Sequence, residues 1–157
     1  MGSMMRARFL TRKEMREINS LLEEQHGCNF DLDNYHYMET VKGDLNMISR
    51  DVERVDYNNI NEVAAGLYVA DIKGQFRLSL EGTQLLGKKA NKNIIELDEE
   101  EWTRWILRED ISSERFNTLE KGYYIIRHKE DYFGCGFIQE GKLKSFVPKS
   151  RSLQVVH

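Results

Sequence analysis

Gly122-Tyr123-Tyr124-Ile125-Ile126-Arg127-His128, Lys129-Glu130-Asp131, Tyr132-Phe133-Gly134-Cys135-Gly136-Phe137-Ile138, Gln139-Glu140-Gly141-Lys142 and Leu143-Lys144-Ser145-Phe146-Val147 follow one another without a break in the last third of the chain. Three apolar and aromatic runs of strand length alternate with two short, polar, turn-forming stretches, the pattern of a three-stranded meander. So small a meander must curl into a barrel or pack on another element to bury one face. Pro148 follows the last run, where its missing N–H removes nothing from a ladder. Gly134 and Gly136 weaken the middle strand unless a bulge, a bend or a close backbone approach requires them. A barrel corner is one such requirement, and the approach of another chain or a nucleic-acid backbone is the other.

Toward the N-terminus the same texture begins at Gly66. Leu67–Ile72 and Phe76–Leu80 alternate around Lys73-Gly74-Gln75, which predicts a strand pair with a tight turn. Gly82-Thr83 opens a short helix over Gln84–Lys89, and Asn93–Leu97 is a further short strand. Asp98 caps a helix to about Leu107, with acids in the first turn where the macrodipole favours them, and Leu97, Trp102, Trp105 and Ile106 as its buried stripe. Before residue 65, Thr11 and Glu14 form a capping box, Met15, Ile18, Leu21 and Leu22 recur at helical spacing, and Gly27 ends the helix. Tyr35–Val41 and Leu45–Ile48 around Lys42-Gly43-Asp44 read as a hairpin. Residues 51–62 are polar and carry no clear period. Met1-Gly2-Ser3-Met4 reads as an added leader ahead of a native start at Met4 or Met5.

These elements predict an α+β chain of 157 residues in two units, a small α/β module over 1–65 and a β-rich module with short helices over 66–157. The apolar runs are too short to span a bilayer and no signal peptide is visible, so no membrane association and a cytoplasmic location are expected. Cys28 and Cys135 stand far apart without a CxxC, and His26, His36, His128 and His157 have no partner at metal-ligand spacing. No metal or other cofactor is expected. A nucleophile elbow and a P-loop are both missing, and Cys135 has only His128 as a base in its meander, so no catalytic residue is assigned. Asp98-Glu99-Glu100-Glu101 is read as a helix start and solvated face.

The net charge is −3, but it is unevenly spread. Residues 121–151 hold seven Lys and Arg against three acids, +4, and the remainder carries −7. A local basic face is still an electrostatic footprint, because charges beyond roughly 8 Å are screened at physiological salt. Arg127, Lys142, Lys144, Lys149 and Arg151, interleaved with aromatics, are therefore candidate nucleic-acid contacts. Cations release counterions from phosphates, and exposed aromatics stack on unpaired bases. Lys88 and Lys89 end the short helix after Gly82 and are a second basic edge, or simply complement its dipole.

The residues from Gly122 to Leu153 resemble the closing strands of PUA-like domains attached to, or standing beside, RNA cytosine methyltransferases of the Sun/Fmu type. The likeness lies in the Gly-Tyr-Tyr-Ile-Ile-Arg-His strand, the Gly-Cys-Gly segment, the following hairpin and the Pro148-Lys149-Ser150-Arg151 tail. Residues 67–121 fit the first half of such a domain, and the N-terminal residues resemble the pre-PUA module of small archaeal and eukaryotic ribosome-assembly factors. The resemblance implies a PUA-type pseudo-barrel that binds structured rRNA or tRNA without catalysis of its own, in ribosome biogenesis, rRNA processing or tRNA modification. It places the contacts at Lys88 and Lys89 on one side and at Lys142, Lys144, Lys149 and Arg151 on the other. No methyltransferase domain or SAM-binding loop accompanies it, so a modification role implies a partner, an RNA methyltransferase or a ribosome-assembly protein. An adaptor that docks such a protein through the acidic half is the alternative.

Overall fold

Thr11 starts the first helix with its side chain. Its Oγ1 accepts from the Glu14 N–H at 3.1 Å, and Glu14 Oε1 accepts from the Thr11 N–H at 2.9 Å, completing the expected capping box. Helix α1 runs over Arg12–His26 and ends at Gly27, whose φ of +71° makes glycine the natural stop. Its apolar stripe buries Met15, Leu22 and His26. The structure is a computed structural model and describes residues 7–50 and 66–145. Residues 51–62, Phe146, Val147, Pro148, Lys149 and Arg151 lie outside the described residues.

Strands β1 (Ala7–Phe9), β2 (Tyr35–Thr40), β3 (Asp44–Ser49), β4 (Leu67–Asp71) and β5 (Arg77–Leu78) form one antiparallel sheet in chain order. The predicted hairpin is β2–β3. The alternating pair after Gly66 is β4–β5, and it joins this first sheet: Leu45 pairs with Ala70 and Met47 with Leu67. The predicted strand to Leu80 stops at Leu78, because Ser79 caps a helix instead. Ser79 Oγ accepts from the Gly82 N–H at 2.9 Å and donates to Tyr68 O at 2.8 Å. Helix α2 therefore starts at Leu80, runs to Leu86, and passes into a 3-10 turn over Gly87–Lys89.

The second sheet has the order β6-β8-β9-β10-β7, with β6 at Ile94–Glu96, β7 at Ile111–Ser112, β8 at Gly122–His128, β9 at Asp131–Gln139 and β10 at Lys142–Ser145. The meander read from the sequence is β8–β9–β10. Strand β6 lies parallel to β8, which requires a crossover, and helix α3 (Glu99–Ile106) is part of it. Asp98 caps α3 reciprocally with Glu101. Both faces of this sheet are covered, which is why β8 reads as a continuous apolar run and not as an alternation. On one face Ile125 and Cys135 join the core made by α1, α2 and the first sheet. On the other, Ile126, Ile138 and Leu143 pack with Trp105, Ile111 and Phe116 under α3.

The two glycines of the Gly-Cys-Gly segment have separate causes. Gly134 sits at φ +86°, and its N–H donates to Thr83 Oγ1 at 2.8 Å. Gly136 leaves room for Trp105: a Cβ there would lie 2.6 Å from Leu143 Cδ1 and 2.7 Å from Trp105 Cη2. A bend and a close approach inside the protein thus account for both residues.

Candidate nucleic-acid interface

Helix α2 decides how much of the second sheet reaches solvent. It runs against β9, with Gly87 on the Tyr132 ring, Thr83 bonded to the Gly134 backbone and Leu80 opposite Gly134. The Leu78 backbone then meets the Cys135 side chain. On the next row of the same face Tyr123 packs at the margin of the first core. There Tyr123 and Phe137 are half-buried and meet edge to face, with ring centroids 5.0 Å apart and planes at 68°.

The register arranges this end of the sheet in rows. Tyr123 pairs with Phe137 and Phe137 with Lys144, so two rings and an ammonium stand side by side on adjacent strands. In the next row Gln139 pairs with Lys142 and Lys142 with Ser112. Neighbours within a row are about 4.8 Å apart, and successive rows lie about 7 Å apart along the strands. Lys142 and Lys144 are exposed and make no ion pair among the described residues.

The other predicted cations lie elsewhere. Arg127 is half-buried on β8, its Nε 3.6 Å from Glu96 Oε1 and its guanidinium carbon 5.9 Å from the centre of the Tyr132 ring. The exposed Lys88 and Lys89 close the 3-10 turn after α2, where the charge of Lys89 acts on Cys28 and Asp31. Four residues of β8, roughly 13 Å, separate Arg127 from the row of Tyr123. The structure therefore sets Lys142 and Lys144 on neighbouring rows, with Arg127 further along the same face and Lys88 and Lys89 on the turn after α2. In the sequence Tyr123 and Phe137 are two aromatics among many. The signal that singles out Phe137 is parity from the tight turn at Gln139–Lys142, which sets it on the face of Lys142 and Lys144, whereas Tyr123 joins it through a β8–β9 pairing whose register shifts between Ile125 and Arg127.

Across the sheet lies a different surface. His128 Nδ1 is 2.8 Å from Leu97 O and its Nε2 2.8 Å from Glu99 Oε2, while its ring stacks on Trp102 at 4.9 Å. Both polar partners are acceptors, so the imidazole ties β8 to the start of α3. A groove beside it is lined by Glu96, Asp98, Glu101, Arg115 and Lys129. Arg115 is held there by Glu101 at 2.6 Å, which leaves an acid-rich surface unsuited to phosphate. His128 thus serves the face under α3, whereas Cys135 is buried on the other face, with its thiol pushed up to about 12 by desolvation. Burial also pushes Cys28 up to about 11. Among the described residues no three His, Cys, Asp or Glu side chains gather to hold a metal, and no helix is long and apolar enough to cross a membrane.

These features define an α+β protein with a second, curled sheet. Residues 92–153 match the family model of the methyltransferase RsmF PUA domain. The segment thus resembles the PUA domain of Sun/Fmu-type enzymes, as the closing strands imply, and the match takes in every strand of the second sheet. No curated protein matches the chain.

Proposed function

We propose that this chain is a non-catalytic RNA-binding protein that recognises structured rRNA or tRNA through its PUA-type part, in ribosome assembly or RNA modification. The supporting observation is that the PUA match coincides with the sheet of which one end carries Lys142 and Lys144 beside two half-buried aromatics. In this reading the PUA-type unit spans 66–157 as a pseudo-barrel, the N-terminal residues act as a pre-PUA-like module, and the protein works in the cytoplasm. Replacing Lys142, Lys144, Lys149 and Arg151 together with Glu is expected to abolish the shift of a structured RNA in gel titrations. For every phosphate that is no longer neutralised, the slope of log affinity against log salt should fall by about 0.7–0.9. Unchanged affinity, or affinity indifferent to salt, rules the proposal out.

A second reading, an adaptor for a basic ribosomal or methyltransferase protein, has one observation in its favour. A groove of about 240 Å³ beside α1 is floored by Leu10, Ile18 and Phe76 and has a net acidic rim of Glu17, Glu14 and Glu39, the last two paired with Arg8 at 2.9 Å, with Leu21 52% exposed at its edge. Acids around an apolar floor suit a basic amphipathic segment. This reading expects a basic protein to co-purify after nuclease treatment, and loss of the partner on nuclease treatment removes it.

A further inference from the structure

We propose that His128 is a proton-operated latch between strand β8 and the first turn of helix α3, closed when the imidazole is charged and open when it is neutral. The latch lies across the second sheet from the candidate lysines and does not depend on RNA binding.

The geometry of the ring carries it. His128 is buried, with Nδ1 2.8 Å from Leu97 O and Nε2 2.8 Å from Glu99 Oε2. A neutral imidazole has one N–H, and its other nitrogen presents a lone pair that repels an acceptor. Two acceptors at bonding distance are therefore served together only by the doubly protonated ring. Trp102 has the same preference. Its indole stacks on the imidazole at 4.9 Å with the planes 15° apart, and an indole face attracts a cation.

Burial decides which bond opens when the proton leaves. Leu97 is buried, so its carbonyl has no water to replace a lost donor. The Glu99 side chain is 69% exposed, so its carboxylate is hydrated once freed. The neutral ring keeps Nδ1–H on Leu97 O and turns its lone pair toward Glu99, which is released to water. Asp98 still caps α3 through the Glu101 N–H, so the helix persists while its tie to β8 is lost.

Charges face the latch from every neighbouring element. Glu96 on β6, Asp98 and Glu101 at the start of α3, Arg115 on the 3-10 turn over Glu114–Thr118 and Lys129 line the groove beside His128. Asp131 lies opposite His128 on β9. Arg115 is held by Glu101, and the Lys129 N–H donates to Glu96 Oε2, so Glu99 is the carboxylate that answers to the ring.

The test is a double-mutant cycle in the full chain, with wild type, Glu99→Ala, His128→Gln and the pair unfolded in urea. Measurements at about pH 5.5 and about pH 8 compare a mostly charged with a mostly neutral free imidazole. Glu99→Ala is expected to lower the urea midpoint more at the acid pH than at the alkaline one. In the His128→Gln background its effect should be the same at both, because every other titrating group is common to the four proteins. Tryptophan emission gives an independent readout, since a charged imidazole quenches a stacked indole more strongly than a neutral one. Emission of the wild type should rise from acid to alkaline pH, and His128→Gln and Trp102→Phe should each abolish the rise. A midpoint loss in Glu99→Ala that is equal at the two pH values overturns the latch, and that comparison stands even where His128→Gln does not fold. An emission rise that survives in Trp102→Phe or in folded His128→Gln overturns it as well.

Discussion

Trp105→Ala should lower the stability of the protein by about 3–5 kcal/mol, the range for deleting a fully buried aromatic. For a chain of this size that corresponds to a melting temperature lower by roughly 10 °C. Trp105 is 0% exposed and is among the largest completely buried side chains. It packs with Ile111, Phe116 and Leu143 under the second sheet, and its Nε1 donates to Phe133 O at 3.0 Å. Truncation removes the ring, the hydrogen bond and the support of Gly136 at once. The wedge itself is isolated by a double-mutant cycle. Gly136→Ala alone places a methyl group against the Trp105 ring and Leu143 Cδ1, an overpacking expected to cost about 1–3 kcal/mol. In a Trp105→Phe background part of that space is vacated, so the same substitution should cost clearly less. Urea unfolding of the four proteins measures the coupling. Strict additivity would show that Gly136 answers to something other than the tryptophan.

The contrast between Gly136 and Phe137 shows what the sequence encodes locally and what it does not. Thr11 with Glu14, and Asp98 with Glu101, are legible because both partners of each cap lie within four residues. The β8–β9–β10 meander is legible for the same reason, since its pairings close across two tight turns. Strands β1 and β7 escape sequence reading because three and two residues leave no period. They exist through distant partners, as in Ala7 opposite Thr40 and Ile111 opposite Leu143. The parallel pairing of Ile94 with Ile125 is equally non-local. Gly82 suggests a start for α2 just after it, but Ser79 is bonded to Tyr68 O and claims the cap three residues earlier. At the candidate site the lysines are visible as charge. The edge-to-face contact of Phe137 with Tyr123 is not, because it follows from the β8–β9 register, which shifts between Ile125 and Arg127. A charge count therefore finds the lysines, and only the register sets Lys142 and Lys144 on neighbouring rows with the aromatic pair beside them.

Acidification from pH 7 should destabilise the protein before most carboxylates titrate, through His26. This histidine is 0% exposed at the end of α1, with Nδ1 3.2 Å from Lys92 O and Nε2 buried without a hydrogen-bond partner among the described residues. The Nδ1–H donates to the carbonyl, so the ring sits neutral and has no second acceptor to welcome a further proton. Burial pulls its pKa down from 6.5 to about 4. In the unfolded chain the ring is in water and takes up its proton near the ordinary value. Between these two values the unfolded state binds more protons than the folded one, so stability rises with pH across the window and falls as pH drops. The stabilisation is complete above pH 6.5 and is lost progressively toward pH 4, with a total of about 3 kcal/mol from a difference of some 2.5 pK units. Glu14, held near 2 chiefly by Arg8, contributes in the same direction but below its ordinary value of 4.5, so the interval from 6.5 to 4.5 belongs to histidine. Denaturant unfolding of wild type and His26→Leu at half-unit steps of pH separates this cause from the rest. The variant is expected to lose most of the slope in that interval whatever its stability at pH 7, because leucine fills the site without a proton to gain. Identical slopes would place the acid sensitivity elsewhere. The consequence is specific to the fold, since the carbonyl His26 holds is that of Lys92, just before β6, so the histidine ties the end of α1 to the start of the second sheet.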